Sequence, residues 1–277
     1  MILIDKQTRG RHGNKVFHFN TLMQLSEITN QDVRTDNWDC YEYFEKTCKL
    51  LDTPIPTSEI PFEDLIYEEH KSLVSKYSTG DWRLHTLSLC GPFFRITTVD
   101  PRKYIKLNNQ PKLPTGENVN VGIHIRGGDT RGADGMNCRE IHSPDYYIKS
   151  IDYVIEQYGG KVNFFLCTDD PDKNYSTYWE TLNHLQRLDI PFYHSPTNNY
   201  MVDFSILTEC EVLISGSSTF ALAAGIIGKQ KKIIHSKDFV LQFKEEDQKW
   251  YSSFGNGMFF YDLNNRKSPF YNLWKLI

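Results

Sequence analysis

Between residues 119 and 235 the chain repeats one pattern, and that pattern narrows the folds open to it. Short apolar runs at 119–125, 161–167, 191–194, 211–214 and 231–235 alternate with stretches of helical periodicity at 143–158, 171–188, 200–210 and 219–228. Strands separated by helices need crossover connections, and these bring successive strands into a parallel, doubly wound sheet. Upstream, residues 1–4 read as a first core strand and 6–13 as a polar loop. A helix is predicted from Asn14, with Val16, Phe17, Phe19, Leu22, Met23 and Leu25 on or near one face. Helices are also predicted at 39–51 and 61–76. Residues 101–115 contain three prolines and read as a linker. The expected division is therefore 1–105 and 116–277.

Composition removes several functions. The 277 residues carry a net charge of −4 and no basic block, which disfavours nucleic acid as the principal partner. The longest apolar run, 220–227, is too short to span a bilayer. The first residues lack the long apolar stretch of a signal peptide, so a soluble, cytoplasmic protein is expected. Six cysteines (Cys40, Cys48, Cys90, Cys138, Cys167, Cys210) form no Cys-x-x-Cys pair and are read as reduced thiols. Aromatic residues make up 14% of the chain, and Trp38, Tyr41, Tyr43 and Trp82 are read as core in preference to sugar-stacking platforms.

Polar residues gather where the apolar runs end. The run from Val119 delivers His124-Ile125-Arg126-Gly127-Gly128-Asp129. Open α/β sheets bind ligands beyond the carboxyl ends of their strands, and a guanidinium fork suits phosphate. The glycines allow close backbone approach. The alternative is a surface turn with a structural salt bridge. Ile214-Ser215-Gly216-Ser217-Ser218-Thr219 passes directly from strand to helix, where hydroxyls and free N–H groups cradle an anion or merely cap the helix. The Gly-Lys-[Ser/Thr] ending of a Walker A loop is absent. Asp203, at the start of the preceding helix, is either a carboxylate that reads a nucleobase or a cap. Thr168-Asp169-Asp170-Pro171-Asp172 offers oxygens for Mg²⁺ or Mn²⁺, or a strand-to-helix turn with a capping carboxylate. Asp134 lies in the glycine-rich loop 131–135, a candidate general base or a solvated loop residue.

Three segments together resemble the fucosyltransferases that use GDP-fucose. Gly10-Arg11-His12-Gly13-Asn14-Lys15 resembles the Gly-Arg-x-Gly-Asn-Gln opening of protein O-fucosyltransferases and the Gly-x-Gly-Asn-Gln opening of the α1,2 type. His124-Ile125-Arg126-Gly127-Gly128-Asp129 resembles their His-x-Arg-Arg-x-Asp type motif. Asp203-Phe204 through Ser217-Ser218 to Ala223-Ala224 is similar to the α1,2-type segment ending Asn-Ser-Ser-Phe-Ser-Trp-Trp-Ala-Ala. Gly127 stands in place of the second arginine of the α1,2 and α1,6 types, which protein O-fucosyltransferases also lack. Ala221 and Leu222 stand in place of the paired tryptophans.

The resemblance implies a GT-B-like α/β fold, two Rossmann-like halves facing across a cleft, with the donor mainly in the C-terminal half. It implies an inverting, metal-independent glycosyltransferase with no cofactor, acting on a nucleotide sugar and a glycan acceptor, the donor being GDP-fucose. A UDP-sugar donor such as UDP-xylose is the alternative; a non-catalytic nucleotide- or glycan-binding protein is the alternative of another class. Arg126 matches the arginine that holds the β-phosphate, and His124 the histidine beside it. Asp203 matches the acidic residue that reads the base, Ser218 and Thr219 the phosphate-binding hydroxyl region, and Asn14 the asparagine that faces sugar and phosphate. Asp134 falls at the position of the α1,6-type catalytic glutamate, with Asp129 as second choice. The expected nucleotide-sugar site thus comprises His12, Gly13, Asn14, His124, Arg126, Thr168, Asp203, Ser217, Ser218 and Thr219.

Overall fold

The computed structural model describes residues 2–4, 12–35, 44–45, 49–50, 58–60, 70–84, 102, 104–127, 142–171, 175–194, 199–216, 218–235 and 274–276. The chain divides into two compact units, one centred on Met1–Asn108 and one on Asn109–Lys244 with Asn272–Ile277.

The first unit contains strands β1 (Ile2–Ile4), β2 (Val33–Thr35), β3 (Lys49–Leu50), β4 (Ser58–Ile60) and β5 (Trp82–Leu84), and helices α1 (His12–Thr29) and α2 (His70–Tyr77). The strands form one sheet in the order β3-β2-β1-β5-β4, and every pairing is parallel. Helix α1 buries Val16, Phe19 and Met23 and stops at Asn30, whose φ of 52° is the left-handed conformation that asparagine tolerates at a helix end. Two expectations are corrected here. Lys49 and Leu50 are strand, not the end of a helix over 39–51, because they hydrogen-bond beside β2. His12 and Gly13 belong to the first turn of α1, not to the loop before it. Trp82 packs edge-on against Tyr77 at 4.9 Å and gives its indole N–H to the Thr79 carbonyl at 2.6 Å, a structural role.

The second unit contains β6 (Val119–Ile125), β7 (Val162–Thr168), β8 (Phe192–His194), β9 (Val212–Ser215), β10 (Lys232–His235) and β11 (Trp274–Leu276). Its helices are α3 (Pro144–Tyr158), α4 (Ser176–Arg187), α5 (Tyr200–Glu209) and α6 (Thr219–Ile227). The strand order is β11-β10-β9-β6-β7-β8, all parallel. Read from the other edge this is the doubly wound order 3-2-1-4-5-6 of a dinucleotide-binding sheet. Helix α3 shows how local chemistry sets an element: Ser143 and Pro144 open it, and Gly159, at φ 59°, turns the chain out of it.

One layer of the core lies between the sheet and α3 and α4. Val121, Ile123 and Ile125 of β6 and Val162, Phe164 and Leu166 of β7 pack there against Tyr147, Ile151, Val154, Tyr178 and Leu182. At the amino ends of β6 and β7, an amide chain fixes register. Asn118 donates to Asn163, Asn163 to Asn120, and Asn120 to the Pro114 carbonyl, at 3.1, 3.1 and 2.9 Å. Among the described residues no helix is long and apolar enough to cross a membrane.

Candidate active site

The strand order of the second sheet reverses between β6 and β9. Crossovers leave in opposite directions from such a pair, and a crevice opens beyond the carboxyl ends of the two strands. Register brings the chemistry-bearing residues level there: His124 pairs with Ser215 of β9, and Ile125 with Thr168 of β7.

Side chains along β6 alternate between the two helical layers. Odd-numbered residues enter the α3–α4 core; Gly122 and His124 face α5 and α6. Helix α5 packs so close that a Cβ on Gly122 would stand 2.8 Å from Leu207 Cδ2 and 3.2 Å from Cys210 Sγ. The His124 ring lies 5.2 Å from that of Phe220, which meets Phe204 edge-on at 5.1 Å. Arg126 is the first residue after the strand, and its charge reaches His124.

His124 is 5% exposed and its Nδ1 has no hydrogen-bond partner among the described residues. Burial lowers its pKa from 6.5 to about 4; the charge of Asp169 partly opposes this and that of Arg126 adds to it. The imidazole is neutral at physiological pH, with one donor and one acceptor nitrogen. Asp203 is 5% exposed in the first turn of α5. It is not the cap: Asn199 caps this helix, accepting the Met201 N–H at 3.1 Å. Asp203 stands one turn before Leu207, on the helix face that covers β6, and its charge adds to the burial that raises the Cys167 thiol pKa. Cys167 and Cys210 are buried free thiols.

Ser218 is the N-cap residue of α6. Its side chain makes no capping bond, and it is 2% exposed. Thr219 is the first residue of that helix. Thr168 Oγ1 accepts the Asp170 N–H at 3.1 Å, and Asp169 Oδ1 accepts the Gly127 N–H at 2.7 Å. The acidic cluster after β7 is thus tied to the backbone beyond β6. Among the described residues, no three His, Cys, Asp or Glu side chains converge as a metal site.

The structure therefore brings His124, Arg126, Thr168, Asp203, Ser218 and Thr219 to one end of the second sheet. His12, Gly13 and Asn14 open α1 in the first unit, directly after β1. Asp129, Asp134 and Ser217 lie outside the described residues.

Sequence reading missed three tyrosines. Tyr146 donates to the carbonyls of Ser215 and Ile234 at 2.9 and 3.1 Å, Tyr147 to that of His124 at 3.1 Å, and Tyr175 to that of Arg126 at 2.5 Å. They also explain two glycines. A Cβ on Gly216 would stand 2.5 Å from the Tyr147 hydroxyl, and one on Gly127 2.9 Å from Tyr175 Cε1 and 2.5 Å from Asp170 Cβ. At both positions the missing side chain makes room for protein atoms, so position 127 has no space for a second arginine in this arrangement.

No family model matches the sequence, and no curated protein matches it. Solved structures do share its fold. POFUT1 in complex with GDP-fucose superposes with a TM-score of 0.54 at 10% identity, over 83% of this chain and 95% of that one. POFUT1 in complex with GDP gives 0.53 at 11% identity, over 83% and 96%. The chain has the POFUT1 fold. It is α/β and GT-B-like, with two Rossmann-like halves. NodZ alpha-1,6-fucosyltransferase soaked with GDP-fucose is similar over 85% of this chain and 94% of its own, at 13% identity and a TM-score of 0.49.

Proposed function

We propose that this chain is a glycosyltransferase that takes fucose from GDP-fucose and places it, with inversion, on a hydroxyl of a glycan. One observation carries the reading: buried, neutral His124, with an unsatisfied Nδ1, stands two residues from Arg126 at the reversal point of the sheet. A buried polar nitrogen without a partner is costly, and a ligand that completes it accounts for its retention. The shared fold with POFUT1 in complex with GDP-fucose supports this donor. So does the absence of room for a second arginine, since the protein O-fucosyltransferase motif lacks one too.

In this reading Asp203 and His124 recognise the base. Arg126 holds the β-phosphate, and Ser217, Ser218 and Thr219, with the N–H groups opening α6, take phosphate oxygens. Thr168 borders the same crevice, and the resemblance adds His12, Gly13 and Asn14 to the residues that bind the donor. Asp134, or Asp129 in its place, removes the proton of the acceptor hydroxyl. That oxygen attacks the anomeric carbon from the face opposite the nucleotide, the bond from that carbon to the diphosphate breaks, and GDP leaves. Arg126 and the α6 dipole stabilise the charge that grows on the leaving diphosphate, and no metal takes part.

The test is nucleotide release from GDP-fucose, GDP-mannose, UDP-xylose, UDP-glucose and UDP-galactose, each supplied alone. Release from GDP-fucose only is expected, and Arg126→Ala should lower its rate at least ~10²-fold. Selective release from a UDP-sugar would overturn the donor. Nucleotide binding without release from any donor, even with glycan acceptors present, would make the chain a binding protein.

A further inference from the structure

Arg126 is the first residue beyond β6, so its peptide group lies past the last registered pair of the sheet, Ile125 with Thr168. A side chain that must meet a diphosphate to within tenths of an ångström needs its backbone held by something else. Two contacts reach this segment from the structural side. The Tyr175 hydroxyl donates to the Arg126 carbonyl at 2.5 Å, and Asp169 Oδ1 accepts the next N–H, that of Gly127, at 2.7 Å. Tyr175 is 5% exposed, and its ring lies against Gly127 with no room for a Cβ between them. Two residues earlier, Tyr147 holds the carbonyl of His124 in the same way, at 3.1 Å.

We propose that Tyr175 is a positioning residue for Arg126, gripping its carbonyl from the α3–α4 side, and that Gly127 is glycine to admit Asp170 and the Tyr175 ring. This rests on the reading of Arg126 as a diphosphate ligand. It assigns a positioning role to a tyrosine whose hydroxyl is bonded to the main chain of the site. It also gives a reason for the departure at position 127: the volume that a second arginine would need at its Cβ is occupied by Tyr175 and Asp170.

The experiment is a double-mutant cycle on the full chain, following GDP release from GDP-fucose in wild type, Tyr175→Phe, Arg126→Ala and the double variant. The hydroxyl deletion keeps the ring, so the fold is retained. Tyr175→Phe should cost about 10-fold in turnover with Arg126 present and almost nothing once Arg126 is alanine. Gly127→Ala, whose Cβ would crowd both Asp170 Cβ and the Tyr175 ring, should also lower turnover in wild type and have little effect in the Arg126→Ala background. A purely structural tyrosine would lower the melting temperature and leave the fold-change equal in both backgrounds, which overturns the proposal. If wild type releases no GDP, or Arg126→Ala is as active as wild type, the reading of the site fails and takes this inference with it. If Arg126→Ala is impaired and Tyr175→Phe is not, this inference alone fails.

Discussion

On the α3–α4 side of the second sheet, three buried tyrosine hydroxyls reach main-chain carbonyls: Tyr146 those of Ser215 and Ile234, Tyr147 that of His124, Tyr175 that of Arg126. On the α5–α6 side the buried imidazole of His124 leaves Nδ1 without a partner among the described residues. Both sides bury polar groups against the same strands. On the first, each of these hydroxyls closes a protein–protein bond, and burial keeps Tyr146 and Tyr147 protonated as donors by raising their pKa values. On the second, the protein stops one bond short. These tyrosine hydroxyls hold strand ends, whereas His124 Nδ1 is left for the proposed ligand, a distinction that residue type alone does not make.

The comparison can be broken by removing groups from each side in turn. Phe164 lies fully buried in the α3–α4 core, and Phe164→Ala should cost ~3–5 kcal/mol of stability, read as a shift of the urea midpoint. A loss under ~1 kcal/mol would mean that this layer is not the one that stabilises the unit. Acidification tests the other side. Above about pH 6.5 His124 is neutral in folded and unfolded chains alike; as pH falls from 6.5 toward 4, the unfolded chain binds a proton that the folded one refuses. Stability should therefore decline across that window, by on the order of 3 kcal/mol from this group. Subtracting the pH profile of His124→Leu from that of wild type isolates the effect, and a flat difference would contradict the buried neutral state.

Tyr146→Phe removes the one O–H that the Ser215 and Ile234 carbonyls share and should destabilise by about 1–3 kcal/mol, with little change in turnover per folded molecule. His124→Leu is expected to have the smallest effect on stability at pH 7.5, within ~1 kcal/mol, because an apolar side chain replaces an unsatisfied nitrogen. The same substitution should weaken GDP binding about 10-fold, the cost of one lost hydrogen bond to the ligand. Opposite patterns in these two variants would erase the distinction between the sides.

Much of the second unit was legible because its elements carry period. The seven residues of β6 and of β7 are long enough to show an apolar run, and α3 and α4 long enough to show a stripe. In the first unit β1 and α1 were legible but β2 to β5 were not, because β2, β4 and β5 have three residues each and β3 has two, with no clear periodic neighbour to frame them. A strand that short is defined by the neighbour it bonds to, as Lys49 and Leu50 are by β2. Strand β11 was missed for the same reason: three residues near the C-terminus join β10 across the intervening chain. At the candidate site, His124, Arg126 and Ser218 stood out because polar residues ended an apolar run. The tyrosines did not, since their bonds join residues 23 to 88 positions apart. Gly127 was read as allowing close backbone approach; the structure fills that space with Asp170 and Tyr175, and the space at Gly216 with Tyr147.

A nucleotide site at the β6–β9 reversal point must bind GDP, which titration into wild type and Arg126→Ala measures. Saturable one-to-one binding is expected, weakened at least 10-fold by Arg126→Ala while the melting temperature stays that of wild type. Equal affinity in the two proteins, or no binding by either, would contradict such a site.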